Sequence, residues 1–275
     1  MSKLGIIAGR GHLPRDLVDH CIAIGRPFFV LGLETFANPS DYQDVEFSET
    51  GLVQVNKGLS HLRKAEVTDV VFVGKVERPS LKALRPDLKA AAFLAKLGKG
   101  FLGDNSLMGA VKTAIEEEGF HVLGVDEVFS DAVAKKGVWG QISPSEAALQ
   151  SAESGKRLAK GIGALDIGQA VVMQGDLCLA VEAIEGTDAL INRSQTLGDK
   201  TLEAPVLVKV RKPQQDRRLD LPTVGPDTVK AAAASGFAGI AVEAGETLVV
   251  ALDEMISVAD EAGMFLIGLD ANESG

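Results

Sequence analysis

The sequence predicts an α/β protein in two parts, and three observations carry that prediction. Short runs of aliphatic and β-branched residues alternate with longer stretches of helical spacing through the first half. That is the pattern of a mostly parallel sheet with helices on both faces. Further along, hairpins are mixed with helices, which reads as a separate α+β domain. The chain has 275 residues, 46% of them hydrophobic and 24% charged, enough for two domains with ample cores. The expected division is 1–132, a link over 133–145, and 146–275.

In order, residues 4–8 (LGIIA) form a short buried strand, followed by the turn Gly9-Arg10-Gly11-His12-Leu13-Pro14 and a helix near 15–24. Pro14 suits a first helical position. Residues 26–31 are a second strand, 59–65 a helix, and 67–74 (VTDVVFVG) a third strand. A helix over 104–118 ends at Gly119, and 120–125 is a further strand. Residues 133–145 collect glycines, a proline, two lysines and Trp139, hence the link. A long helix of small residues covers 145–165, entered through Ser143-Pro144. Residues 170–173 and 177–184 make a hairpin over Gln174-Gly175-Asp176, and Glu185-Gly186-Thr187-Asp188 leads into a helix toward Arg193. After a strand over 206–210 and a charged loop comes an alanine-rich helix opened by Asp227-Thr228. Residues 239–242 and 247–251 read as two strands about Gly245-Glu246, then a helix over 252–262 and a last strand over 264–268.

A net charge of −10 argues against nucleic acid, which calls for a basic face. Cys21 and Cys178 sit in apolar stretches, as reduced core thiols of a cytoplasmic protein do. No run approaches the roughly 20 apolar residues that span a bilayer. Against the acidic total, residues 80–102 set Lys82, Arg85, Lys89, Lys96 and Lys99 against Asp87. A basic, partly amphipathic segment suits anionic lipid or a phosphorylated ligand, although a plain surface helix has the same composition.

The stretch 205–228 (PVLVKVRKPQQDRRLDLPTVGPDT) is the chemical focus. An apolar strand runs into five cations (Lys209, Arg211, Lys212, Arg217, Arg218) beside two carboxylates (Asp216, Asp220). Pro222, Gly225 and Pro226 then stiffen the approach to Asp227. Cations complement phosphate oxygens, while carboxylates hold a divalent metal or orient water. The competing reading is a solvated loop of mutually paired charges. The turn Gly9-Arg10-Gly11, with Gly74-Lys75, falls at the carboxyl ends of strands, where ligands of such sheets sit. Pro14 stands where a dinucleotide fingerprint wants its third glycine, so the turn is compatible with a nucleotide without specifying one.

The four histidines, His12, His20, His61 and His121, all lie in the first half and none has zinc-pair spacing. There is no GxSxG elbow and no GxxxxGK[ST] loop. Hydrolytic chemistry therefore rests on carboxylates and a metal, the candidates being Glu182, Glu185, Asp188, Asp216, Asp220 and Asp227.

The motifs EGTDALINR (185–193), KVRKPQQDRRLDLPTVGPDT (209–228) and the opening LGIIAGRGHLP resemble the UDP-2,3-diacylglucosamine pyrophosphatases of lipid A biosynthesis. The resemblance is to the form unrelated to the calcineurin-like enzymes with a histidine metal site. It spans nearly the whole chain, and the two later motifs are specific; Arg10 and His12 replace smaller residues. The resemblance implies a Rossmann-like N-terminal domain and a catalytic C-terminal domain. It also implies magnesium-dependent hydrolysis of UDP-2,3-diacylglucosamine to UMP and 2,3-diacylglucosamine 1-phosphate (lipid X), with water attacking the β-phosphorus. An aspartate of the last motif is essential in the family, and Asp227 matches it. A homodimer is a family expectation too. On this basis Asp227 and Asp220 are the catalytic candidates, and Asp188, Asp220 and Asp227 the metal ligands. Lys209, Lys212, Arg218 and Lys75 grip phosphate, and Thr187, Gln215 and Asp216 hold sugar or acyl polar groups. Gly9, Arg10, Gly11, Asp188 and Thr223 complete the substrate contacts. The basic segment would touch the inner face of the inner membrane. The rival readings are a nucleotide-dependent oxidoreductase, resting on the glycine turn, and a sensor that binds a phosphorylated lipid without turnover.

Overall fold

The computed structural model describes residues 1–76 and 104–271. The basic segment 80–102 lies outside them. The chain forms two compact units: residues 1–130 with 216–220, and residues 131–215 with 221–275.

The first unit is built on a five-stranded, wholly parallel sheet. Its strands are β1 (Leu4–Ala8), β2 (Phe28–Leu33), β3 (Phe47–Thr50), β4 (Asp69–Val73) and β5 (His121–Leu123), in the order β3-β2-β1-β4-β5. Strands β1, β2 and β4 bury nearly every residue, which is why they read as unbroken apolar runs and not as alternation. Its helices are α1 (Leu13–Ile24), α2 (Val55–Lys64), α3 (Asp104–Glu116) and the short α4 (Val125–Val128). Leu31, Leu59, Leu62, Val70, Phe72 and Ile115 anchor a core between the sheet and α2 and α3. The order reverses direction between β1 and β4, the switch point where ligands of this architecture bind.

The second unit holds a mixed six-stranded sheet. Three parallel strands, β9 (Val206–Lys209), β11 (Gly239–Glu243) and β13 (Phe265–Leu269), form its centre. On one side β7 (Ala170–Gln174) and β8 (Leu177–Val181) add an antiparallel hairpin; on the other, β6 (Gly137–Trp139) pairs antiparallel with β13. The segment 133–145, read from the sequence as a link, thus contains a strand of this sheet. The long helix α5 (Glu146–Ala164) covers one face through small residues such as Ala148, Ala152 and Ala159. Helices α6 (Thr187–Ser194), α7 (Pro226–Ala234) and α8 (Leu252–Glu261) cover the other, over Leu190, Leu207, Val229, Ile240 and Met255. Residues 247–251 do not pair with β11 as their spacing suggests. Only Leu248–Val249 is strand (β12), and it runs parallel to β10 (Thr223–Val224) as a separate ribbon. Gly245, with φ at +74°, turns the chain away from the main sheet. Cys21 and Cys178 are free thiols.

Candidate functional site

In the second unit the site gathers at the carboxyl ends of β9 and β11. Lys209 closes β9 and is only 7% exposed. Its Nζ donates to Thr187 Oγ1 at 3.1 Å and to the Thr223 carbonyl at 2.9 Å. Thr187 in turn donates to Glu182 Oε1 at 2.6 Å, and Glu182 Oε2 accepts from the Gln169 N–H at 3.1 Å. Glu182 is buried as well, so this chain places a cation and an anion inside the protein with a hydroxyl between them. Its members come from β8's end, α6's first turn, β9's end and β10, so one network fixes four segments.

Two helix N-termini belong to the same assembly. Thr187 and Asp188 open α6, Pro226 and Asp227 open α7, and the two helices pack together. Both N-caps are glycines, Gly186 and Gly225, without a side-chain cap. A helix start presents backbone N–H groups and a positive dipole end, the elements of a phosphate cradle. Asp188 and Asp227 project from these first turns as exposed carboxylates.

The loop after β9 is tied down instead of offering loose cations. Glu243, the last residue of β11 and 2% exposed, accepts from the Arg211 N–H at 3.2 Å and pairs with Lys160 at 2.6 Å. Lys160 also donates to the Arg211 carbonyl at 3.1 Å, so both backbone groups of Arg211 are clamped. The Arg211 side chain pairs with Glu246, and Lys212 with Asp166 at 2.8 Å. Gln215 is buried and accepts from the Lys212 N–H at 3.3 Å. Sequence reasoning did not find Lys160 or Glu243. A carboxylate ending the apolar run GIAVE was the available signal, since a buried charge there needs a partner.

The remaining predicted residues fall in the first unit. Asp216, Arg218 and Asp220 belong to the segment counted with it, and Leu219 packs on its core. Asp216 accepts from Arg218 at 2.9 Å and from Lys112 at 2.7 Å. The Arg218 guanidinium, then Lys112, hold the Asp216 carboxyl far below the usual carboxylate range, while Asp216 raises Arg218. Arg218 also reaches Glu116 at 3.1 Å, and Arg217 reaches Asp126 at 2.8 Å. Asp220 is exposed. For Lys212, Arg217 and Arg218 the paired-charge reading therefore describes the geometry.

At the switch point Gly9, Arg10 and Lys75 meet through backbone. The Arg10 N–H donates to the Lys75 carbonyl at 2.9 Å, and the Lys75 N–H to the Arg10 carbonyl at 2.8 Å. A Cβ on Gly9 would sit 2.8 Å from the Lys75 carbonyl oxygen, so packing already requires that glycine. Gly11, with φ at +104° and open space around it, is required only by its conformation.

Magnesium can be tested against these donors. Among the described residues, no three His, Cys, Asp or Glu side chains gather where they could hold a metal ion. Among the described residues, then, an all-protein cation cage is not formed. Magnesium is more often held by one or two carboxylates together with substrate phosphates, and the exposed Asp188 and Asp227 fit that mode.

Residues 3–132 match the LpxI N-terminal domain and residues 135–267 the LpxI C-terminal domain. A curated relative, UDP-2,3-diacylglucosamine pyrophosphatase LpxI of Caulobacter vibrioides, is 41% identical over 280 residues, covering 99% of each chain. Among solved structures, a Thermus thermophilus UDP-glucose 4-epimerase complex with NAD is 14% identical, covering 99% of this chain and 88% of its own, with a TM-score of 0.32. A CobK precorrin-6A reductase is 12% identical, with coverages of 98% and 88% and the same TM-score. Those two scores are too low to carry an inference.

Proposed function

The chain belongs to the LpxI family, and from that membership we propose that it is a UDP-2,3-diacylglucosamine diphosphatase acting in lipid A biosynthesis. The observation that carries the reading is the 41% identity, end to end, with a relative so named. The Lys209–Thr187–Glu182 network behind two uncapped helix starts supports it, because a diphosphate needs fixed positive groups that require no rearrangement on binding.

The reaction is hydrolysis. Water attacks the β-phosphorus, which bears the sugar; the bond from that phosphorus to the bridging oxygen breaks; UMP leaves with the bridging oxygen. Asp227 orients the water and takes its proton. Lys209 holds the Thr187 hydroxyl and the Thr223 carbonyl in place and lends positive charge beneath the phosphates. Asp188 or Asp227, together with the diphosphate, would hold magnesium, which would supply charge neutralisation. Asp220 remains a candidate catalytic residue and metal ligand and Lys75 a candidate phosphate contact; a homodimeric state is an expectation from the family, and a cytoplasmic location one from the cysteines.

Incubation with UDP-2,3-diacylglucosamine and magnesium tests the reading through UMP release. The Asp227→Ala protein is expected to lose at least about 100-fold in kcat, the scale for removing a positioned acid–base group. Full retention of activity would remove Asp227 from the mechanism. A sensor without turnover would bind the substrate and release no UMP.

A further inference from the structure

We infer that Glu182 is a positioning residue that takes the proton of the Thr187 hydroxyl, so that Thr187 meets the ligand as a hydrogen-bond acceptor. Its match is then an O–H or N–H group, on a sugar of the ligand or on the attacking water, and not a phosphate oxygen. The inference rests on the site and reaction proposed above. A lysine ammonium has donors and no acceptor, so Lys209 Nζ, at 3.1 Å, can only donate to Thr187 Oγ1. A hydroxyl has one proton to give and two acceptor positions. Lys209 fills one acceptor position, and the proton points to Glu182 Oε1 at 2.6 Å, the length of a hydroxyl–carboxylate bond. One lone pair is left on Thr187 Oγ1, and no proton with it. Thr187 is half-buried, unlike Glu182 and Lys209, which are closed off behind it.

The pattern is held against inversion. For Thr187 to donate outward, Glu182 would have to swing away, and its other oxygen is already engaged by the Gln169 N–H at 3.1 Å. The backbone is pinned on both sides of Glu182. Its N–H donates to the Ala170 carbonyl at 2.8 Å, and the preceding Val181 carbonyl accepts from Arg193 Nη2 at 2.5 Å. Gly168 lies so close that a Cβ there would stand 2.0 Å from the Glu182 carbonyl oxygen. Arg193, in the last turn of α6, also binds Glu185 at 3.0 Å, so the two ends of the motif EGTDALINR fasten the turn that presents Thr187. Lys209 is fixed in turn by its bond to the Thr223 carbonyl. Phosphate oxygens, which carry no proton, are thus left to the cation and the helix-start N–H groups, while Thr187 reads a group that does carry one. A fixed acceptor set against another acceptor pays desolvation without a bond, which is how such a site discriminates.

The test compares Thr187→Val, which keeps the shape and removes the acceptor, with Thr187→Ser, which keeps the acceptor. Calorimetry measures binding of UMP, of 2,3-diacylglucosamine 1-phosphate and of inorganic pyrophosphate with magnesium, beside UMP release from UDP-2,3-diacylglucosamine. Thr187→Val is expected to lose about tenfold or more in kcat/KM, Thr187→Ser to recover most of it, and pyrophosphate to bind all three proteins alike. A weaker affinity for UMP or for the lipid product places the donor on the corresponding sugar; a lower kcat with both affinities kept places it on the water. Glu182→Gln, whose amide can donate to Thr187 and turn its proton outward, is expected to lose as much; if that variant fails to fold, the Thr187 pair decides alone. Natural affinities and turnover in Thr187→Val, or equal losses in Thr187→Val and Thr187→Ser, overturn the proposal. So does weaker pyrophosphate binding by Thr187→Val, since the hydroxyl would then serve a phosphate or its metal, and so does a folded Glu182→Gln with natural turnover. A natural protein that releases no UMP refutes the enzymatic reading alone, because the binding measurements need no turnover; unchanged product affinities in Thr187→Val would then overturn the proposal as well.

Discussion

Asp216 shows how a residue can be recognised from sequence and its neighbours missed. Its place among cations was legible; that Lys112, 104 positions away, completes its shell was not, because nothing in local spacing encodes that contact. The shift gives a signed expectation. Unfolded, Asp216 takes up a proton near pH 4; folded, its partners resist protonation to much lower pH. The stability from this pairing is full above about pH 4 and is lost as pH falls below it. Asp216→Asn should therefore cost about 1 kcal/mol of stability at pH 7 after solvent screening, and clearly less than that at pH 2, where part of the pairing energy is already lost. Urea melts at both pH values check this, and an equal cost at each would show that the ion pairs do not stabilise the fold. Thr187 and Lys209 were readable as candidates from the family motifs. Their hydrogen bond, and the burial of Glu182 behind them, needed the fold to bring residues 182, 187, 209 and 223 together.

Among elements, the apolar strands and the longer helices were legible because each carries its own pattern. The short ones were not. β3 (FSET) is four residues with three polar side chains, and β10 and β12 are two residues each, below the length at which periodicity means anything. Junctions are where the elements hold the site. Gly168→Ala would drive a methyl group into the Glu182 carbonyl, backbone that cannot simply rotate away. A loss of about 2 kcal/mol is expected, within the usual cost of overpacking, together with weaker hydrolysis; a fully stable and active variant would show that β7 and β8 can part without disturbing the network. At β11, Glu243→Gln leaves Lys160 without its carboxylate and should cost about 3 kcal/mol. Pairing it with Lys160→Met should restore much of the melting temperature, since no unmatched charge remains, while hydrolysis stays impaired because the Arg211 carbonyl has lost its donor. Full recovery of activity in the double variant would mean that the clamp on Arg211 serves only the fold.

For the whole molecule, the two-part α/β plan could be read from the change in pattern along the chain. The return of residues 216–220 to the first unit could not, since Asp216 to Asp220 look like one more charged loop until Leu219 finds an apolar core. Among the described residues no helix is long and apolar enough to cross a membrane. In the proposed reaction, water opens a diphosphate at the phosphorus bearing the sugar. Hydrolysis of UDP-2,3-diacylglucosamine in oxygen-18 water, with mass analysis of both products, tests that claim most directly. The predicted result is one labelled oxygen in 2,3-diacylglucosamine 1-phosphate and none in UMP; label in UMP, or no products at all, would contradict it.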